Sequence, residues 1–288
     1  MNVVAPRRTV AQALTGTWRY RELLVNLVRK ELKVRYKNSS LGFFWSMLNP
    51  LMYLVVFYVV FQLVLGSGVP YFAVFLLSGL LGWNLFSASL AAATGSITGN
   101  ASLVNKVWFP REILPLASIG ANFVHFLLQS VVLVIGLLVF RFDVDWGYVW
   151  LVLPALVTLL LLTSALCIFL AAANVYARDT QHLLELVLLA WVWMTPIIYP
   201  WALQATELAD RGRSAMLTLL NPMTPIVITL QRALYGIETA DDGTRILPVE
   251  SSLWYLRNLG AVAAVSVVLL LLALRVFTRV EGDFAEEL

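Results

Sequence analysis

Only one cysteine occurs in the 288 residues, Cys167, and it lies inside an apolar run, so no intramolecular disulfide framework can form. Charge is scarce as well: Asp, Glu, Lys and Arg make up 13% of the chain, where a soluble domain carries about 25%. There are four lysines, Lys30, Lys33, Lys37 and Lys106, and none follows a glycine. A phosphate-cradling loop ending in Gly-Lys-Ser/Thr is therefore absent, and any such ATPase belongs to a separate chain. The two histidines, His125 and His182, stand far apart with no cysteine pair, which argues against a metal centre. On the predicted outer side the paired carboxylates, Asp241 and Asp242, fall in a Gly- and Thr-containing stretch and read as a solvated loop rather than a catalytic pair. The formal net charge of +3 is too small to suggest a nucleic-acid partner.

What the chain has in excess is apolar surface: 60% of residues are hydrophobic and the mean hydropathy is +0.81, which demands lipid as solvent. A bilayer core of about 30 Å takes about 20 helical residues to cross. Six stretches meet that length, at 43–65, 71–93, 113–140, 147–173, 183–200 and 258–277, each ended by charges, proline or glycine. Lipid offers the backbone no hydrogen-bond partner, and the runs are too uniformly apolar for barrel strands, so the reading is an all-α integral membrane protein with six transmembrane helices in one domain. Arg7 and Arg8 are not followed by an uninterrupted apolar core and a small-residue cleavage site, so no signal peptide is expected.

Orientation follows from the bases. Residues 1–42 hold nine Lys and Arg against Glu22 and Glu31, which puts this segment, and with six crossings the tail 278–288, on the cytoplasmic side. Between Tyr20 and Tyr36 the apolar Leu23, Leu24, Leu27, Val28 and Leu32 recur at helical spacing opposite Arg21, Glu22, Arg29, Lys30 and Lys33. This predicts an amphipathic helix lying in the inner interface. Ala215 to Gly236 is apolar but broken at Asn221, Pro222 and Pro225, and predicts short re-entrant helices on the outer face before the last span; a seventh crossing there would put the C-terminus outside.

Ionisable residues inside the spans are few. His125 reads as an interhelix hydrogen-bonding residue near Asn122 and Gln129, and Glu185 as an interface residue. Aromatics are many. Phe43, Phe44, Trp45, Trp146, Tyr148, Trp150, Tyr199 and Trp201 sit at predicted interfaces, where amphipathic rings settle at headgroup depth. Tyr53, Phe57, Tyr58, Trp83, Phe86, Trp191 and Trp193 lie deeper and are candidates to line a path on which sugar rings stack.

Three stretches carry a resemblance: RYKNSSLGFFWSMLNPL from Arg35 to Leu51, NKVWFPREILPLA from Asn105 to Ala117, and NPMTPIVITLQRALYG from Asn221 to Gly236. Together with the six spans and the N-terminal helix they resemble the permeases of type-2 ATP-binding-cassette exporters for polysaccharides and polyol phosphates, over nearly the whole chain. The resemblance implies a homodimer in a bacterial cytoplasmic membrane with two ATPase subunits on its inner face, exporting a lipid-linked polymer such as O-antigen, teichoic acid or a cell-wall galactan. It implies no cofactor on this chain, ATP and Mg being held by the ATPase. It also implies ATPase-contacting short helices near Ile97–Glu112 and Asn174–Gln181, with Lys106, Arg111, Arg178 and Asp179 as polar contacts. The substrate gate maps to Arg35, Tyr36, Lys37 and Gly42, and the outer gate to Asn221, Pro222, Pro225 and Arg232. Arg35 and Lys37 stand where a lipid pyrophosphate would need cationic donors. The alternatives are an exporter of a drug or small lipid, and a non-transporting scaffold or membrane enzyme.

Overall fold

The computed structural model describes residues 19–37, 44–66, 68–139, 141–240, 243 and 245–288. Within them the regular secondary structure is helical, apart from one isolated bridge between Thr239 and Arg245. The helices are α1 (Arg21–Tyr36), α2 (Phe44–Phe57, continued by a π-helical stretch Tyr58–Val64), α3 (Phe72–Thr94), α4 (Ala101–Lys106), α5 (Ile113–Val139) and α6 (Trp146–Val149). They continue as α7 (Val152–Tyr176), α8 (Thr180–Met194), α9 (Trp201–Asp210), α10 (Met223–Leu234), α11 (Ser252–Val280) and α12 (Phe284–Glu287), with 3-10 turns at Thr98–Asn100 and Ala215–Leu220.

Among the described residues four helical stretches are long and apolar enough to cross a membrane: α3, α5, α6 with α7, and α11. Where the other two spans are expected there are shorter apolar helices, Leu51–Val64 and Thr180–Met194. The predicted 183–200 stretch stops at Met194 because Pro196 follows. Thr195, the residue before that proline, is driven to extended backbone at φ −105°, ψ 131°, and the helix cannot pass it. Pro200 then opens α9 within what reads in the sequence as loop.

Burial ranks the long helices. In α3 the most apolar window is 78% buried, against 22% in α5 and 28% in α11, so α3 is the axis of the bundle and the other two present broad apolar faces outward. Rows such as Val131, Val134, Ile135 and Leu138 on α5 and Val265, Val268 and Leu272 on α11 are exposed at helical spacing, as lipid-facing surfaces are. Hydroxyls within the apolar helices satisfy themselves on the preceding turn, Ser78 on Phe75, Thr163 on Leu159 and Ser266 on Val262, and so cost little there.

The segment read as re-entrant, Ala215 to Gly236, divides: in the 3-10 turn Ala215–Leu220 only Thr218 is buried, whereas α10 is buried along nearly its whole length against α3 and α7. Its prolines leave no orphan backbone groups: Pro222 is the N-cap and Pro225 lies in the first turn, where a missing N–H costs nothing. Close approach to α3 depends on a glycine, since a Cβ at Gly82 would stand 2.8 Å from Leu230 Cδ1.

Helix α1 is amphipathic as its spacing predicts, but its apolar face is covered by protein rather than lipid. Leu27 is buried, with Leu23, Leu24 and Val28 packed beside it in a cluster with Ile97, Val104 and Ile113. A Cβ on Gly120 of α5 would come within 2.8 Å of Val28 Cγ2, so α1 lies flat on α5 at a glycine. Lys30 Nζ reaches Asn100 Oδ1 at 2.8 Å, Tyr176 OH donates to the Val280 carbonyl at 3.2 Å, and Arg111 donates to the Glu281 carbonyl. The first and last described elements thus share one end of the bundle.

Candidate functional site

Four helices leave a cleft of about 950 Å³ between them, open at the end where α1 terminates. Helix α2 supplies Trp45, Tyr53 and Phe57, α3 supplies Trp83 and Asn84, α5 supplies Asn122, His125 and Gln129, and α8 supplies Glu185 and Trp193. Arg35, in the last turn of α1, completes the lining. One strongly cationic side chain thus faces a wall of aromatic rings and amides.

The geometry of the cationic end rests on the fit of α1 to α5. Arg35 Nη1 donates to Asn122 Oδ1 at 3.3 Å, and Asn122 Nδ2 in turn donates to the carbonyls of Ser118 at 2.9 Å and Ala88 at 3.3 Å, so the amide is oriented by α3 and α5 together. One turn earlier Ser118 donates to Glu31 at 3.0 Å. Burial raises the Glu31 carboxyl above its ordinary value of 4.5, outweighing the Ser118 hydrogen bond and the attraction of Arg35 and Lys30. Deeper in, Asn84 Nδ2 donates to Gln129 Oε1 at 3.3 Å across α3 and α5.

The deep aromatics divide. Tyr53, Phe57, Trp83 and Trp193 line the cleft. Phe86 is fully buried behind it, edge-on to Trp191 at 5.1 Å, and Tyr58 opens the π-helical stretch outside the lining. From Tyr53 a series of ring contacts at 6.0–6.2 Å runs through Phe57, Phe61, Phe72 and Phe75, and then reaches Tyr235 at 5.4 Å, linking the cleft to the far end of the bundle.

At that far end the four residues read as an outer gate do different things. Asn221 uses its whole amide: Oδ1 accepts from Trp191 Nε1 at 2.8 Å and from the Met223 N–H at 3.1 Å, while Nδ2 donates to Thr195 Oγ1 at 3.0 Å and the Met194 carbonyl at 3.2 Å. Pro222 and Pro225 start α10. Arg232 is buried and holds α10 to the loop before α6. Its Nη2 stands 2.9 Å from Asp145, its Nε 3.0 Å from Glu238 at ion-pair distance without hydrogen-bond alignment, and its Nη1 donates to the Gly236 carbonyl at 3.0 Å. The guanidinium lies 3.6 Å over the Tyr148 ring, so this cation is sandwiched rather than free.

At the α1 end the two loops expected to meet an ATPase are neighbours. Asn174 Nδ2 lies 3.5 Å from Thr98 Oγ1, and Lys106, Arg178 and Asp179 are exposed. The first loop forms a short helix, α4. The second does not, because Asn174 belongs to the end of α7 and Thr180 begins α8, leaving a tight turn over 177–179. Arg111 is enclosed by the chain itself. It is 4% exposed, bonded to Glu281, and 5.8 Å from the Phe284 ring, so its side chain holds the C-terminal tail and is not offered to a partner. Gly42, the side chain of Tyr36 and the Asp241–Asp242 pair lie outside the described residues, while Lys37 ends α1 exposed.

The sequence profile of the ABC-2 type transporter family matches residues 22–230. The chain belongs to this family. It is 34% identical over 273 residues, 94% of this chain and 97% of the relative, to an O-antigen export system permease of Myxococcus xanthus. It is 31% identical over 208 residues, 72% of this chain and 78% of the relative, to an O-antigen export system permease of Klebsiella pneumoniae. A shorter match, 30% over 98 residues covering 33% of this chain and 36% of the relative, links it to a polysialic acid transport protein of Escherichia coli.

For this ABC-2 type transporter the sequence left three cleft residues unassigned. Trp45 reads as an interface ring, Gln129 enters only as a neighbour of His125, and Asn84 goes unremarked. The available signal was that lone amides inside a span need a partner in lipid, and the two satisfy one another. Among the described residues no group of three His, Cys, Asp or Glu side chains is placed to hold a metal.

Proposed function

We propose that the chain is the membrane-spanning subunit of an ATP-driven exporter that moves a lipid-linked polysaccharide across a bacterial cytoplasmic membrane. Two copies pair, and two separate ATPase subunits, which hold ATP and Mg, dock at the end that carries α4 and the 177–179 turn. Helices α2 and α8 complete six crossings, so that α1 and α12 both face the cytoplasm. The observation that carries this reading is the near full-length relation to an O-antigen export permease, 273 residues at 34% identity. The cleft makes it chemically intelligible. An anionic lipid head needs a cation at the membrane surface, which Arg35 provides, and a sugar chain needs flat apolar faces and amide partners, which Tyr53, Trp83, Trp193, Asn84 and Gln129 provide.

The decisive experiment is reconstitution of the chain with its ATPase in vesicles carrying a lipid-linked glycan. ATP should drive the glycan across, and the chain alone should hydrolyse no ATP. Replacing Arg35 and Lys37 together by Gln removes charge-assisted contacts of about 1.5–3 kcal/mol each, so export should fall by at least about tenfold while the chain still inserts. A vesicle that moves a drug or a simple lipid but no glycan would refute the polymer assignment.

A further inference from the structure

The geometry points to Asn221 as the residue that ties the cleft-lining helix α8 to the gate helix α10, so that axial movement of α8 is passed directly to α10. This rests on the exporter reading above, because it assigns a mechanical role within that cycle.

Helix α8 is unusual in how it is held. Among its 15 residues only Leu184 is buried, so it lies along the bundle with little lateral anchoring. Its ends are fastened instead. At one end it is continuous with the 177–179 turn, the Thr180 and Leu183 N–H groups donating to the Ala177 and Asp179 carbonyls at 3.0 Å each. At the other end Met194, Thr195 and Trp191 all bond to the side chain of Asn221. Beyond Thr195 a second bond holds the chain leaving α8 to α10, the buried Gln231 donating to the Pro196 carbonyl at 3.1 Å.

A rod fastened at its ends and loose along its side transmits displacement along its axis instead of dissipating it in side-chain repacking. Its near end is the exposed turn bearing Arg178 and Asp179. Its far end is gripped by a residue that simultaneously caps α10 through the Met223 N–H. No other residue type serves equally. An aspartate at 221 would accept from Trp191 and Met223 but could not donate to Met194 and Thr195. A leucine would fill the space and make none of the four bonds. The asparagine opening the NPMTP stretch thereby acquires a role that a turn-forming residue alone would not need.

Two variants test the tie. Asn221→Asp keeps shape and abolishes the donations to α8. Trp191→Phe removes one donor while keeping a ring against Phe86. In the reconstituted complex both should assemble and hydrolyse ATP within about twofold of the unaltered protein, yet export at least tenfold less glycan per ATP. An unchanged ratio in both variants overturns the proposal, as does a loss of export that merely follows loss of assembled complex. Should Asn221→Asp fail to fold, Trp191→Phe decides alone. A second measurement needs no export: hydrogen exchange of the isolated chain, with Asp179→Gly loosening the near end of α8. Exchange across Met223–Leu234 should rise in the otherwise native chain and should not respond when Asn221→Asp is also present. No propagation in the native background sinks the tie alone, whereas an unaltered complex that fails to export sinks the exporter reading.

Discussion

The indole of Trp191 donates its N–H to Asn221 Oδ1 at 2.8 Å, across 30 residues of chain. One partner reads in the sequence as a channel aromatic and the other as part of an outer gate, and the bond makes both of them framework. The ring faces Phe86 at 5.1 Å, behind the cleft wall rather than on it. The aromatics able to meet a passing ligand are therefore fewer than their number in the sequence implies.

Replacing Trp193 or Tyr53 by Ala should slow glycan export by about two- to twelvefold each, the equivalent of about 0.5–1.5 kcal/mol per lost ring contact. Tyr58→Ala, outside the lining, should leave export unchanged. Rates from vesicle export assays at matched protein levels would check this ordering, and equal losses at Tyr58 and Trp193 would contradict the placement of the path.

Arg232→Met should be the most destabilising change at the far end, by about 3 kcal/mol, because it leaves two carboxylates without their common cation. Asp145→Asn and Glu238→Gln should cost less. The Arg232 side chain is 7% exposed, against 43% for Asp145 and 25% for Glu238, so water compensates each acid better than it could compensate the arginine. Thermal unfolding in detergent should rank the variants Arg232, Glu238, Asp145 in decreasing effect.

Glu31 predicts a pH dependence. Its folded pKa lies above the ordinary 4.5, so between the two values the folded state binds more protons than the unfolded state. Stability of the α1 to α5 junction should then fall as pH rises through that window and be highest on its acid side. Glu31→Gln keeps an acceptor for Ser118, removes the desolvated charge, and should flatten the profile and raise the melting temperature at neutral pH. A steeper profile in the variant would mean that Ser118, Arg35 and Lys30 outweigh burial and favour the ionised form.

Lys106 and Arg111 should separate by readout. Neutralising exposed Lys106 should weaken ATPase binding with little change in melting temperature. Arg111→Gln should lower the melting temperature and free the tail around Phe284, which would be seen as faster proteolysis after residue 280. Identical effects from the two changes would place both on the same surface.

Much of the fold is legible because apolar length is a strong signal. Span starts expected at 71 and 113 are found at Phe72 and Ile113. The fifth expected span, 183–200, runs past the end of α8 because hydropathy does not register Pro196 as a stop. Arg111 reads as a surface base because nothing local reveals that Glu281 and Phe284, some 170 residues later, close over it. The same limit applies to the Asn84–Gln129 pair and to Arg232 with Asp145: each half is visible, and the partnership is a property of packing. Arg35 differs in that the helical spacing of 20–36 already puts it in the last turn of α1, where it is found.

The brevity of α8 also bears on the surrounding lipid. Fifteen residues span roughly 22 Å at 1.5 Å per residue, well short of a typical hydrocarbon thickness of about 30 Å. Lipid beside a short hydrophobic wall thins to match it, at modest cost per ångström. Because α8 is one wall of the cleft, the bilayer would be pinched beside it, and on the exporter reading proposed above this shortens the apolar distance a hydrated head group crosses before meeting the amides within.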